Sequence, residues 1–180
     1  MAIFNLLHYK LPNNFDKKVV FDTNIWLLLY SELHQTKERE IAAYSNFFDQ
    51  IIEQDIEIII TSNIISEISN VLLRADFNSK SDVNGWGNFK KDYVGNEHYQ
   101  EKVSEITSII ESILLTDNII KIDDGFSDLD VENVNDKFKL VDWNDAYLYE
   151  LSKKNNFTIL SHDRDFKKLD FTLIDLIQLF

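Results

Sequence analysis

The sequence predicts an α/β fold in three layers, α/β/α, with a central parallel sheet enlarged in the middle by an insertion. Three observations predict it. Short apolar, largely β-branched runs at 18–22, 56–60 and 157–160 have the length and composition of buried strands. Each stops at a polar cluster: Asp22-Thr23-Asn24, Thr61-Ser62-Asn63 and Ser161-His162-Asp163-Arg164-Asp165. The first two runs lead into segments with helical apolar spacing, and alternating strands and helices mark a parallel sheet with crossover helices.

In chain order, 18–22 is a strand and 25–33 an apolar helix. A helix over 36–54 carries Ile41, Tyr44, Phe48, Ile51 and Ile52 at 3/4 spacing, with Glu38 and Glu40 near its positive end. After the strand at 56–60, Thr61-Ser62-Asn63 caps a helix striped by Ile64, Ile65, Ile68, Val71 and Leu72. Three of the four glycines fall within 77–98 among Asn, Asp and Ser, so this window reads as a loop or insertion. Val103, Ile106, Ile110 and Ile113 mark the next helix, 118–122 a short strand, and 123–136 an acidic loop. A helix over 143–153, the strand 157–160, the polar turn 161–165 and an apolar segment from Phe171 complete one domain over 1–180.

A chain of 180 residues and 21.2 kDa is of one-domain size. Its 31 acidic and 18 basic residues give a net charge of −13, without the overall positive field of a typical nucleic-acid binder. The absence of cysteine excludes disulfides, thiolate zinc sites and a cysteine nucleophile. The longest apolar run, 25–30, is far short of a membrane span, and no signal peptide is evident, so a soluble cytoplasmic protein is expected.

In a doubly wound sheet, ligands bind beyond the carboxyl ends of the strands. Asp22 ends the first strand, Glu67 lies in the early turns of the helix after the second, Asp145 in the first turn of the helix opening at Asp142, and Asp163 just past the strand 157–160. With right-handed crossovers all four fall on one edge. Crowded carboxylates call for protons or cations, and an all-oxygen set suits Mg²⁺ or Mn²⁺. Two such ions roughly 4 Å apart activate a water and stabilise a leaving oxygen. Each residue also has a plain role: Asp22 as a helix cap, Glu67 as a solvent-facing position, Asp142 and Asp145 as a capping pair, Asp163 and Asp165 as turn formers.

Phe21-Asp22-Thr23-Asn24, the stretch from Thr61 to Glu67, Asn144-Asp145-Ala146 and the stretch from Ile159 to Phe166 resemble the four signature segments of the PIN-domain family, in the family's order. The resemblance implies an α/β/α fold and metal-dependent ribonuclease chemistry with Mg²⁺ or Mn²⁺ at Asp22, Glu67, Asp145 and Asp163, with Asp165 as the alternative to Asp163. It also implies that Asn24 and Ser161 orient Asp22 through hydrogen bonds.

The expected function is therefore an endoribonuclease acting on single-stranded or structured RNA. As the toxin of a toxin–antitoxin pair it would have an antitoxin or other protein partner, and a homodimer is a further possibility. The alternatives are a non-catalytic protein-binding module and a Mg²⁺-dependent phosphatase, the latter ranked low because Asn24 stands where such enzymes place a second Asp. Trp86, Phe89, Lys90, Lys91 and Tyr93 either stack and neutralise a single strand or form a local apolar cluster. No HExxH, Walker loop, GxGxxG or GxSxG occurs.

Overall fold

The computed structural model describes residues 3–13, 15–34 and 38–179. The chain runs through β1 (Ile3–Asn5), β2 (Val19–Phe21), α1 (Thr23–Tyr30), α2 (Glu38–Glu53), β3 (Ile58–Ile60), α3 (Ser62–Asn84), α4 (Glu97–Leu114), β4 (Ile119–Lys121), α5 (Val131–Phe138), α6 (Trp143–Asn155), β5 (Thr158–Leu160) and β6 (Leu176–Gln178). The six strands form one sheet of order β1-β6-β5-β2-β3-β4 in which every pairing is parallel. Helices complete the α/β/α arrangement: α1 packs on α2, α3 and α4, and α5 packs on α6.

The sheet explains the apolar runs. β2, β3, β5 and β6 are buried along their whole length, so they need side chains that tolerate burial on both faces rather than alternation. Each fully buried Val, Ile or Leu contributes about 1.5–3 kcal/mol. Register then positions the site. Phe21 of β2 lies opposite Leu160 of β5, and Val20 opposite Ile59 of β3, so Asp22, Thr61 and Ser161 leave the sheet side by side. The chain winds outward from β2 towards β4 on one side and places β5 on the other, which makes the β2–β5 boundary a topological switch point.

Several boundaries differ from expectation. The helix expected over 25–33 ends at Tyr30 and is followed by a one-turn 3-10 helix at Glu32–His34. Thr36 lies outside the described residues, and α2 begins among them at Glu38. The window 77–98 is largely helical rather than a loop. α3 continues to Asn84 through polar turns held by the Lys80–Asp76 ion pair at 2.9 Å and by Ser and Asn side chains bonding back to helix carbonyls. Its loop-like composition is capping chemistry. Gly85 closes α3 at φ 68°, Asn88 caps a single π turn at Phe89–Tyr93, and Asn96 accepts from the Tyr99 N–H to start α4.

Trp86, Phe89 and Tyr93 pack with Phe77 and Tyr99 into an aromatic cluster; Arg74 stands 4.0 Å over Phe89, and Tyr93 is fully buried. These contacts favour the local-cluster reading of the segment. The acidic stretch 123–136 is likewise only partly a loop, because Asp130 caps α5 from Val131 and Val134 enters the core. The two departures have different causes: the end of α3 is too polar to show an apolar stripe, whereas α5 carries one, Val131, Val134 and Phe138 at i, i+3 and i+7, in a short helix whose other residues are polar.

Candidate active site

Asp22 follows β2 directly and stands at the N-cap position of α1, yet its carboxylate takes no capping hydrogen bond from that helix. Its Oδ2 instead accepts from Asn24 Nδ2 and from Ser161 Oγ, each at 2.7 Å. Asn24 Oδ1 in turn accepts from the His162 N–H at 3.0 Å, and Ser161 Oγ accepts from the Asp163 N–H at 2.9 Å. Both orienting residues thus tie the end of β2 to the turn after β5. Asp22 is 7% exposed, and this lattice fixes its rotamer.

Glu67 is carried by α3, whose start is set by Thr61 accepting from Ile64 N and by Asp124, which accepts from Ser62 Oγ at 2.6 Å and from Asn63 N. Thr23 Oγ1 donates to Glu67 Oε2 at 2.9 Å, so the first residue of α1 holds the carboxylate of α3. Asp145 sits in the first turn of α6, whose N-cap Asp142 accepts from Asp145 N at 2.9 Å. Asp142 therefore has the local capping role, while the Asp145 carboxyl is 7% exposed and belongs to the cluster. Asp163 caps the 3-10 turn Arg164–Lys168, and its backbone carbonyl accepts from Gln178 of β6.

Burial and mutual repulsion set the electrostatics. Asp22 is pushed up to about 7, chiefly by desolvation and further by the charges of Glu67 and Asp163, against the opposing Ser161 hydrogen bond. Desolvation raises Asp145 to about 9, with Asp22, Asp142, Asp163 and Glu67 adding to the effect. Glu67 and Asp163 thus act on both Asp22 and Asp145, and Asp142 acts on Asp145 as well. Asp165 is exposed, pairs with Lys168 at 2.9 Å and does not figure in either shift, which separates it from Asp163.

A narrow cleft is lined by Asp22, Thr23, Thr61, Asn63, Glu67 and Asn144, with Tyr147 on its wall; Asp145 and Asp163 do not line it. Among the described residues, no group of three or more His, Asp or Glu side chains is drawn together tightly enough to hold a metal ion. The donor set still fits a hard divalent cation in its chemistry: all donors are carboxylate oxygens, and the two most buried acids carry raised proton affinities that a cation would relieve. The arrangement is an open acidic cluster rather than a closed cage.

Three contributors were not legible as site residues. Thr23 positions Glu67, and Gln178 holds the Asp163 carbonyl. The fully buried Tyr44 hydroxyl donates to the Ser161 carbonyl at 3.0 Å, accepts from Leu179 N at 3.0 Å and lies 3.2 Å from His162 Nδ1. Tyr44 belongs to the expected apolar stripe of α2, and nothing in the sequence distinguishes its hydroxyl from those of other core tyrosines.

In a parallel α/β/α protein the crevice beyond the carboxyl ends of the strands at a switch point is the usual place for a ligand, and acidic side chains stand there in this chain. The PIN domain model matches residues 19–172, and the chain belongs to the PIN-domain family. No curated protein matches it. PIN domains are generally nucleases that typically use divalent metals, although some are non-catalytic. No helix among the described residues is long and apolar enough to cross a membrane.

Proposed function

We propose that the protein is a Mg²⁺- or Mn²⁺-dependent endoribonuclease of the cytoplasm, with Asp22, Glu67, Asp145 and Asp163 as its metal-holding carboxylates. The observation that carries this reading is a pair of buried acids, Asp22 at the end of β2 and Asp145 in the first turn of α6, whose raised proton affinities a cation would relieve. When bound there, the metal supplies activation of water and stabilisation of the charge on the phosphate and leaving oxygen. The chain's own residues prepare the site. Ser161 and Asn24 both hold Asp22 through its Oδ2. Thr23 fixes Glu67, and the capped start of α6 fixes the backbone that carries Asp145.

Cleavage of single-stranded RNA by the purified protein with Mn²⁺ tests the proposal. We expect activity that chelation abolishes and that Asp22→Asn or Asp145→Asn lowers at least about a hundredfold, the scale of losing a charge-stabilising group. Equal activity in wild type and Asp22→Asn would overturn it. A role as the toxin of a toxin–antitoxin pair is a narrower form of the same proposal, tested by growth arrest on induced expression.

A second reading, a non-catalytic binding module, is favoured by the open arrangement of the carboxylates and by the exposed apolar residues Phe126, Val131, Phe138 and Leu140. Binding of a protein partner with no saturable uptake of divalent metal would establish it in place of the first.

A further inference from the structure

We infer that the cleft formed by Asn63, Asp124, Phe126, Trp143 and Tyr147 binds one nucleobase of single-stranded RNA beside the acidic cluster. The inference rests on the nuclease reading and names where the substrate's nearest unpaired base sits. The cleft adjoins the carboxylate site directly, because Asn63 and Tyr147 also line the cleft of Asp22, Glu67 and Asn144. A strand with a phosphate at the carboxylates therefore brings an adjoining base to this wall.

The lining has the chemistry of a base site. Trp143 is partly exposed at the first position of α6, and Phe138 meets it edge-on at 5.7 Å. Phe126 is 58% exposed on a loop whose fold is pinned at Asp124: the Asp124 carboxylate accepts from Ser62 and Asn63 at the start of α3, and its carbonyl accepts from Tyr147. A solvent-facing aromatic on an anchored loop is preorganised for stacking, and base–aromatic stacking tolerates any sequence. The side-chain amide of Asn63 makes no hydrogen bond among the described residues, which leaves donors and an acceptor for a base edge.

Charge decides between base and phosphate. Asp124 is the one acidic side chain on the lining and no basic side chain stands there, so the cleft offers phosphate no cation and suits a neutral ring. Its volume of about 200 Å³ lies below the roughly 300–1,000 Å³ of drug-sized ligand sites, in keeping with one base.

The test reads binding apart from cleavage. In the Glu67→Gln background, a short single-stranded oligoribonucleotide with Mg²⁺ is expected to quench tryptophan emission. Trp143→Phe should remove the quench, since Trp26 is fully buried and Trp86 lies in the other aromatic cluster. Phe126→Ala, at an exposed position that leaves the thermal midpoint unchanged, should weaken binding about fivefold or more, as should an oligonucleotide with an abasic residue next to the cut. A quench that survives Trp143→Phe, or equal binding by Phe126→Ala and by the abasic strand, would overturn the base site. Base-dependent quenching with no cleavage by the wild type overturns the nuclease reading alone. Cleavage without base dependence overturns this site alone, and absence of any RNA binding overturns both.

Discussion

Ser161 Oγ donates to Asp22 Oδ2 at 2.7 Å, joining the carboxyl ends of two neighbouring strands whose residues are 139 apart in sequence. The same Ser161 oxygen accepts from the Asp163 N–H, so one hydroxyl fixes a carboxylate on β2 and aligns the turn that presents the next acid. The site is built into the sheet boundary rather than placed on a free loop.

Removing that hydroxyl should loosen the metal site without dismantling the fold. Ser161→Ala is expected to lower Mg²⁺ affinity about 10–100-fold, the usual cost of losing a partner that orients a ligand. Because the Ser161 hydrogen bond opposes the raising of Asp22, its loss should also shift the pH profile of activity to higher pH. Titration calorimetry and a pH–rate profile measure the two effects.

The metal-free protein should lose stability as pH rises between 5 and 9. Asp22 and Asp145 hold their protons more tightly when folded, at about 7 and about 9 against 3.8. The stability this gives is complete below the unfolded value and is lost as pH climbs through the folded values. Thermal midpoints in chelator should therefore fall over this range, and millimolar Mg²⁺ should raise them most at the alkaline end. A midpoint flat with pH and indifferent to Mg²⁺ would contradict the cluster.

Asp145→Asn keeps the shape and removes the cost of holding a proton on a buried acid pushed up to about 9. At pH 8 in chelator it should stabilise the protein by about 1–3 kcal/mol, and it should cancel most of the Mg²⁺-induced rise. That trade of activity for stability is the expected mark of a functional acid, and a destabilising Asp145→Asn would instead assign the residue to the fold. Differential scanning calorimetry with and without Mg²⁺ decides.

Tyr44→Phe should cost about 1–3 kcal/mol, because it leaves the buried Leu179 N–H and Ser161 carbonyl without the hydroxyl that serves both. In a chain of this size the midpoint should drop roughly 2–4 °C per kcal/mol. Urea unfolding at constant m-value gives the free energy directly.

Much of this site was legible because local chemistry and strand ends coincide. The runs at 18–22, 56–60 and 157–160 contain strands since fully buried parallel strands require uninterrupted apolar side chains, and each acid could be placed by its distance from a strand end. Asn24 and Ser161 touch Asp22 as the family resemblance implied. The sequence leaves Asp163 and Asp165 as alternatives, and only the folded chain shows Asp165 exposed and paired with Lys168.

Other features were hidden for physical reasons. β1 has two apolar residues, Ile3 and Phe4, and exists as a strand through its pairing with β6, far away in sequence. The end of α3 is helical without an apolar stripe, held by caps and polar contacts that sequence alone reads as loop chemistry, and the stripe of α5, Val131, Val134 and Phe138, spans only two turns among polar residues. Thr23, Tyr44 and Gln178 act on the site across long sequence distances.

The central claim, that Asp22, Glu67, Asp145 and Asp163 form a divalent-cation site, is tested most directly by calorimetric titration of the metal-free protein with Mn²⁺ near pH 7.5. The account predicts saturable binding of one or two ions per chain, with proton release because Asp22 and Asp145 must ionise, and at least about tenfold weaker binding in Asp22→Asn. No saturable heat up to millimolar Mn²⁺, or binding undiminished in Asp22→Asn, would contradict it.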